Sequence, residues 1–137
     1  MRSRLIGVLL CAALCACSES TTQAPNDSAV CRAFAARQSS VEVVSEGSVT
    51  RLLGTRAGRQ SPHQGFLMRL NSGCVLIVRV EANTDFTGTF PLRIGDLVDV
   101  KGQYEYYPIG GVIHWTHRDP RGRHPGGYVR VGNRMYQ

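Results

Sequence analysis

Apolar and polar residues alternate along most of the chain with the two-residue period of a β-strand, and turn residues separate the alternating segments. The longest segment begins at Val41, reaches Leu53 and is interrupted by Gly47, which predicts a long, bent strand. Asn71-Ser72-Gly73 and Gly132-Asn133 each separate two later segments and predict hairpins. The pattern therefore predicts about six strands beyond residue 40.

A helical spacing precedes these strands. Val30, Phe34 and Arg37 recur at helical intervals behind the capping residues Asp27-Ser28, which predicts a short helix to about Gln38. One helix followed by short strands with glycine turns predicts an all-β fold. We expect a small OB-like Greek-key barrel of five to six strands with a short N-terminal helix. An SH3-like barrel has nearly the same pattern and stays an alternative.

The first residues have the composition of an export signal. Arg2 and Arg4 are basic, and the apolar run from Leu5 to Ala16 follows them. This run is too short to cross a bilayer as a helix, which takes roughly 20 apolar residues. It therefore predicts a secretory signal peptide over residues 1–16.

The end of this run resembles the lipobox of bacterial lipoproteins. Its residues are Leu14-Cys15-Ala16-Cys17, with Cys15 in place of the usual small residue. The resemblance implies lipidation of Cys17 and a membrane-anchored chain, and Ser18 suits the outer membrane of a Gram-negative envelope. Plain secretion after cleavage near Cys17 is the alternative. In both cases the address is the cell envelope, the periplasm or beyond.

The remaining chain divides into a tether and one domain. Residues 17–26 are polar, lack aromatics and contain a proline, so we expect a lipidated cysteine and a flexible tether there. Residues 27–137 form the OB-like domain, in which Cys31 and Cys74 remain. In an oxidising compartment they predict a disulfide, which would contribute roughly 4 kcal/mol in the chain-entropy model. Two separate buried thiols are the alternative.

The charge of the chain is positive. Loss of Arg2 and Arg4 with the signal peptide would lower the formal charge from +6 to +4, and Lys101 is then the single lysine among arginines. Arginine binds phosphate and carboxylate through two parallel hydrogen bonds. Besides the membrane itself, the charge favours an anionic glycan, a lipid headgroup, a peptide or single-stranded nucleic acid as partner. A merely solvated surface is the alternative.

The densest chemistry lies at residues 110–120, which hold the only Trp and two of the four His. Alternation on a strand places His114 and Thr116 on one face and Trp115 on the other. We interpret all three as structural, with Trp115 packed in the core, and Tyr136 as the anchor of the last strand. On a regular strand, His114 and His117 would not bind one ligand together.

Function is expected beyond this strand, where an Asp-Pro pair breaks it. The candidate ligand-binding residues are His117, Arg118, Asp119, Arg121, Arg123, His124 and Tyr128. If the chain turns at Arg118, then His117, Asp119 and His124 converge, and this set suits zinc or another divalent metal. None of the strong metal-binding spacings occurs, so no cofactor is expected. The histidines and arginines would also suit acid–base hydrolysis of a phosphodiester.

The same region resembles a known family, the domain of unknown function 3465, whose members are small exported bacterial proteins. The likeness rests on the string His114-Trp115-Thr116-His117 followed by Asp119-Pro120, on Gly110-Gly111, on Gly95-Asp96 and on the terminal Tyr136-Gln137. It runs from about Val41 to the C-terminus. It implies an envelope address and an OB-like barrel, and it implies no activity.

These observations predict an envelope lipoprotein with an OB-like domain. We expect a non-enzymatic module that binds a polyanionic or polar envelope ligand at the surface from His117 to Tyr128. The alternative is a metal- or histidine-dependent hydrolase acting on phosphodiesters.

Overall fold

The computed structural model describes residues 23–137, so the predicted signal peptide and Cys17 lie outside the described residues. In this part of the chain no helix is long and apolar enough to span a membrane. The elements are α1 (Asp27–Ala35), β1 (Val41–Arg56), β2 (His63–Leu70), β3 (Ile77–Asn83), α2 (Thr84–Thr87), β4 (Leu97–Glu105), β5 (Val112–His114), β6 (Tyr128–Val131) and β7 (Arg134–Tyr136).

Five of the strands close into a ring in the order β1-β2-β3-β5-β4, and β4 pairs again with β1. All neighbours are antiparallel except β3 and β5, which run parallel. Gly47 pairs with Leu70 of β2 and with Val98 of β4, so the predicted bend lies where β1 passes from one partner to the other. The ring confirms the all-β, OB-like prediction, and β6 and β7 extend the sheet from β4.

The core fills this ring with the inward residues of each strand. Aliphatic side chains dominate it, because alternate strand positions are buried, and Tyr104 is its largest fully buried member. The other large side chains below 2% exposure are Phe66, Met68, Ile113, Val30, Val49, Val78, Val80, Val98, Val100, Val129 and Thr116.

Helix α1 is fastened to the loop of residues 71–76. Cys31 and Cys74 form a disulfide, with their Cα atoms 5.9 Å apart, which confirms the predicted pair. The buried Asp27 carboxylate accepts hydrogen bonds from the backbone N–H groups of Glu46 and Ser72, both at 2.9 Å, and from the Ser72 hydroxyl at 3.0 Å. A covalent bond and a buried carboxylate therefore fix the same loop.

Three local predictions were wrong. The first helix ends at Ala35, three residues before Gln38. The connection after β3, which contains no predicted helix, holds the single turn α2, capped by the Asn83 side chain accepting from Asp85 N–H. Strand β5 ends at His114 instead of Thr116, because Trp115 has a φ of 56° and leaves the extended conformation.

Candidate functional site

A groove of about 520 Å³ crosses the outer face of the ring between β1 and the loop of residues 106–111. Its volume lies within the range of small-ligand sites. The lining is mostly apolar, with two arginines and one carboxylate among ten residues: Leu53, Arg56, Leu67, Ile77, Arg79, Glu81, Tyr107, Ile109, Gly111 and Val112. We call this cavity the groove.

Strand alternation builds one wall of the groove. Ile77, Arg79 and Glu81 point outward from β3, while Val78 and Val80 between them are fully buried. Opposite, the 106–111 loop is held by the buried Tyr104, whose hydroxyl donates to the Gly110 carbonyl at 3.2 Å. Burial raises the pKa of Tyr104 to about 12, so the donor proton is present at every ordinary pH.

A glycine pair lets this loop approach the sheet. Gly110 and Gly111 have φ values of 117° and 83°, which side chains rarely adopt. A Cβ at Gly110 would overlap the Ile77 carbonyl, and one at Gly111 would meet the Tyr104 ring. The pair therefore lets the loop lie directly on the start of β3, where it forms one end of the groove.

Only one of the two arginines in the groove has an acidic partner among the described residues. Arg79 donates through Nε to the Glu81 carboxylate and forms a salt bridge with it, so these two charges offset each other. Within residues 23–137, Arg56 makes no salt bridge. The groove therefore presents one guanidinium with no acidic partner beside an apolar surface.

Histidine side chains line two further cavities at the other end of the groove. A second cavity of about 440 Å³ shares Arg56, Arg79 and Glu81 with the groove and adds His63 and His114. A third, of about 100 Å³, contains His63, His114, Trp115 and His117. Contrary to the strand-based prediction, His114 and His117 thus face one cavity, because the positive φ of Trp115 breaks the alternation between them.

Backbone carbonyls fix the tautomer of three histidine rings, two of which line these cavities. Nδ1 of His63 lies 2.9 Å from the carbonyl oxygen of Ser61. Nδ1 of His117 lies 2.6 Å from the carbonyl oxygen of Arg118, and Nδ1 of His124 lies 2.8 Å from that of Pro125. Because a carbonyl only accepts, each Nδ1 carries the hydrogen, and in the neutral ring Nε2 carries the lone pair. In His63 and His117 this leaves the Nε2 lone pair for a ligand, whereas Nε2 of His124 is buried without a hydrogen-bond partner.

Burial keeps two of the imidazoles neutral. It lowers the pKa of His117, against the opposing effect of the Arg118 carbonyl, and the His117 ring stacks on Phe86 with centroids 4.3 Å apart. Burial likewise lowers the pKa of His114, although Glu105 opposes this with Oε1 3.5 Å from Nε2. Both rings are therefore neutral bases near pH 7.

Asp119 organises the loop that follows β5. Its carboxylate accepts hydrogen bonds from the backbone N–H groups of Arg121 (2.9 Å), Arg123 and His124 (3.0 Å), and its side chain is 2% exposed. Desolvation raises the pKa of Asp119, but these three hydrogen bonds outweigh it and the pKa lies below its usual value. The carboxylate therefore faces inward, and its hydrogen bonds hold the loop of residues 119–124 together.

The other predicted loop residues divide by exposure. Arg118, Arg121 and Arg123 are exposed, whereas His117 and Tyr128 are buried. The His124 side chain is 7% exposed and packs on Trp115 with ring centroids 4.4 Å apart. Of the predicted ligand-binding residues, only the three arginines present their side chains openly to solvent.

The residues interpreted as structural also differ from one another. Thr116 is fully buried and donates its hydroxyl to the Glu81 carbonyl at 3.0 Å, and Tyr136 stacks on Phe90 with centroids 4.7 Å apart. Trp115 is 37% exposed, so its predicted place in the core was wrong. Its positive φ turns the ring toward His124 at the edge of the histidine-lined cavity.

Comparison with known proteins places the chain in one family. The profile of the family described as Protein of unknown function (DUF3465) matches residues 11–137, nearly the whole sequence. The chain belongs to this family. Neither the curated proteins nor the solved structures contain a match to it.

The DUF3465 chain does not assemble the metal set that its sequence suggested. His117 and His124 meet edge to face with centroids 4.9 Å apart, and His124 Nε2 lies 3.9 Å from Asp119 Oδ2. Between residues 23 and 137, no group of three or more His, Cys, Asp or Glu side chains is placed to hold a metal ion. The backbone N–H groups already occupy the Asp119 oxygens.

Sequence reasoning missed the groove of this DUF3465 domain. The available signal was Ile77, an aliphatic residue at an outward position of Ile77-x-Arg79-x-Glu81, where the solvated face of a strand usually carries polar residues. Tyr107 and Ile109, on either side of Pro108, were a second signal, because large apolar residues close together in a loop can form an exposed patch, and such patches mark interaction sites.

Proposed function

We propose that this protein is an envelope-anchored binding module whose groove holds an amphipathic anion. The apolar part of that ligand lies against Ile77 and Ile109, and its acidic group meets Arg56. The observation that carries the proposal is the guanidinium of Arg56, without an acidic partner among the described residues, beside an apolar groove of about 520 Å³.

The chemistry of the lining favours such a ligand over a purely polar one. Apolar lining stabilises a bound hydrocarbon by roughly 25 cal/mol for each Å² removed from water. A charged donor strengthens a hydrogen bond and selects its partner, so Arg56 favours phosphate or carboxylate. Arg79 contributes less selectivity, because Glu81 offsets its charge.

A titration of the purified chain with octyl phosphate, below its micelle concentration, tests this proposal. We expect NMR shifts at Leu67, Ile77 and Val112, and Arg56→Gln should weaken binding about 5-fold to 10-fold. Octyl glucoside is the neutral control and should bind Arg56→Gln as well as the unchanged chain. Arg93→Gln, on an exposed loop outside the groove, is the matched charge control.

Two outcomes would contradict the proposal. Octyl phosphate could leave the groove resonances unmoved, or Arg56→Gln and Arg93→Gln could weaken binding equally. In the second case the net charge of the chain, and not the groove, would attract the anion.

The envelope address is part of the proposal and rests on the lipobox resemblance of Leu14-Cys15-Ala16-Cys17. Cys17→Ser should release the protein from the membrane fraction into the periplasm. Unchanged membrane partition of Cys17→Ser would contradict lipidation.

A second candidate function is hydrolysis of phosphodiesters by the histidines that line the second and third cavities. The fixed Nδ1–H tautomers of His63 and His117 favour it, since they leave both Nε2 lone pairs for one cavity, and His63 also lines the second cavity with Arg56 and Arg79. Turnover of bis(p-nitrophenyl) phosphate that is lost in His117→Gln and in His63→Gln would support this function. No turnover, with or without added zinc, would exclude it for this substrate class.

A further inference from the structure

The most exposed aliphatic side chains of the described residues sit on two touching loops. Val75, in the 71–76 loop, is 97% exposed and Ile109, in the 106–111 loop, is 94% exposed. Tyr107 and Ile77 beside them are about half exposed, and Gly110 packs directly on the Ile77 carbonyl. We call Val75, Ile77, Tyr107 and Ile109 the apolar tip.

The backbone next to the two most exposed of these side chains is held in place. The disulfide of Cys74 holds the backbone next to Val75, and Asp27 holds Ser72 in the same loop. The Tyr104 hydroxyl holds Gly110, next to Ile109. Exposure of apolar surface to water is unfavourable, so a rigid exposed patch indicates a surface that contacts a partner.

The path of the chain shows which partner this surface meets. The tether enters the domain beside the 71–76 loop, where Asn26 N–H donates to the Val44 carbonyl at 2.6 Å and Asp27 binds Ser72. Nine residues separate Cys17 from Asp27. Even fully extended they reach only about 30–35 Å, so a lipid on Cys17 keeps this loop near the bilayer.

Charge and composition around the apolar tip fit a lipid surface. Arg32 lies on α1 next to the disulfide, and Arg69 pairs with Ile77 across β2 and β3; both residues are exposed. Basic residues near an anionic leaflet are attracted to its surface charge. Aliphatic residues beside a tyrosine suit the boundary between headgroups and acyl chains.

We propose that the apolar tip inserts into the interface of an anionic phospholipid bilayer beside the anchor at Cys17. The orientation rests on the anchor proposed above, whereas the insertion itself needs no ligand in the groove. Because Ile77, Tyr107 and Ile109 also line the groove, this end of the groove then opens at the bilayer surface.

Fluorescence quenching in vesicles tests the insertion. The full chain, purified from membranes, carries a fluorophore at Ile109→Cys and is reconstituted into vesicles of phosphatidylethanolamine and phosphatidylglycerol with nitroxide-labelled acyl chains. The control label is at Leu97→Cys, on β4, which is 51% exposed. If mass spectrometry shows that Cys17 is unlipidated, the same labels are used in the Cys17→Ser chain.

We expect quenching at position 109 at least about 3-fold stronger than at position 97, since only the apolar tip enters the bilayer. Equal quenching at the two positions, or none at position 109, would overturn the proposal. Capture of a protein by the apolar tip without lipid quenching would overturn it too.

Paired substitutions provide a second readout. Val75→Ser with Ile109→Ser should abolish the protection that vesicles give to backbone amides of residues 71–76 and 106–111. Ile94→Ser with Leu97→Ser removes two exposed aliphatic side chains elsewhere and should leave that protection intact. Equal protection in both double variants would refute insertion, whereas failure of octyl phosphate to enter the groove would refute only the groove proposal.

Discussion

The two ends of the groove are held by different chemistry. At the apolar tip, the Cys31–Cys74 disulfide and the buried Asp27 carboxylate fix the 71–76 loop. At the histidine-lined end, Asp119 fixes the loop after β5, with imidazoles packed around it. Both ends use a buried aspartate that accepts three hydrogen bonds. Only one adds a covalent bond, and only the other packs imidazole rings beside the aspartate.

Reactive side chains that cluster in a sequence can be buried and engaged with the backbone in the fold, and are then not open to a ligand. The loop after β5 contains most of the reactive side chains, yet it uses Asp119, His117 and His124 to hold its own backbone. The groove is built from aliphatic residues and carries two arginines and a glutamate.

Removal of the disulfide should have the largest effect. Cys31→Ala with Cys74→Ala should lower the free energy of unfolding by about 4 kcal/mol, because the unfolded chain gains the freedom of the opened loop. Urea unfolding measures this loss, and reduction of the unchanged protein should reproduce it. A loss below about 1 kcal/mol would show that Asp27 alone holds this end.

Asp119→Ala should have the next largest effect, because three backbone N–H groups lose their acceptor. Stability should fall, and the emission of Trp115, the only tryptophan, should shift to longer wavelength as the packing with His124 opens. Asp85→Ala, at an exposed carboxylate of α2, is the matched control and should change neither. An unchanged Trp115 emission in Asp119→Ala would contradict the proposed role.

A fall in pH from 7.5 to 5 should destabilise the histidine-lined end. Burial lowers the folded-state pKa of His117 and His114 below 6.5, so the unfolded chain binds more protons as pH falls through this region. Their contribution to stability is therefore complete above pH 6.5 and declines below it. His117→Gln should reduce the loss of stability between pH 7.5 and pH 5, and the disulfide-free variant should not. Equal losses in His117→Gln and the unchanged chain would contradict this.

Glu105→Gln should have the smallest effect. The Glu105 carboxylate raises the pKa of His114 against the effect of burial, so its neutralisation should lower that pKa further. An NMR titration of the His114 ring measures the shift. Stability near neutral pH should change by no more than about 0.5 kcal/mol, as for most partly exposed positions. A raised pKa in Glu105→Gln would contradict the assigned contact.

Strand periodicity predicted the ring well, because most strands bury one face and their sequences alternate. The bend at Gly47 and the Gly132-Asn133 hairpin followed from the same local signals. The prediction that Trp115 packs in the core was wrong because no local sequence pattern indicates a positive φ at a tryptophan. The groove escaped prediction for another reason: Arg56, Ile77 and Ile109 lie far apart along the chain and meet only when the ring closes.

The hydrogen bond from Tyr104 to Gly110 has a kinetic consequence. It sets the 106–111 wall of the groove without a ligand, so binding of the proposed anion should require no closing movement there. Association should then proceed at a rate set by diffusional encounter and charge, and affinity should vary through the lifetime of the complex. Tyr104→Phe removes this hydrogen bond and keeps the ring in the core. Association should then be slower, because the 106–111 loop must first adopt its binding conformation.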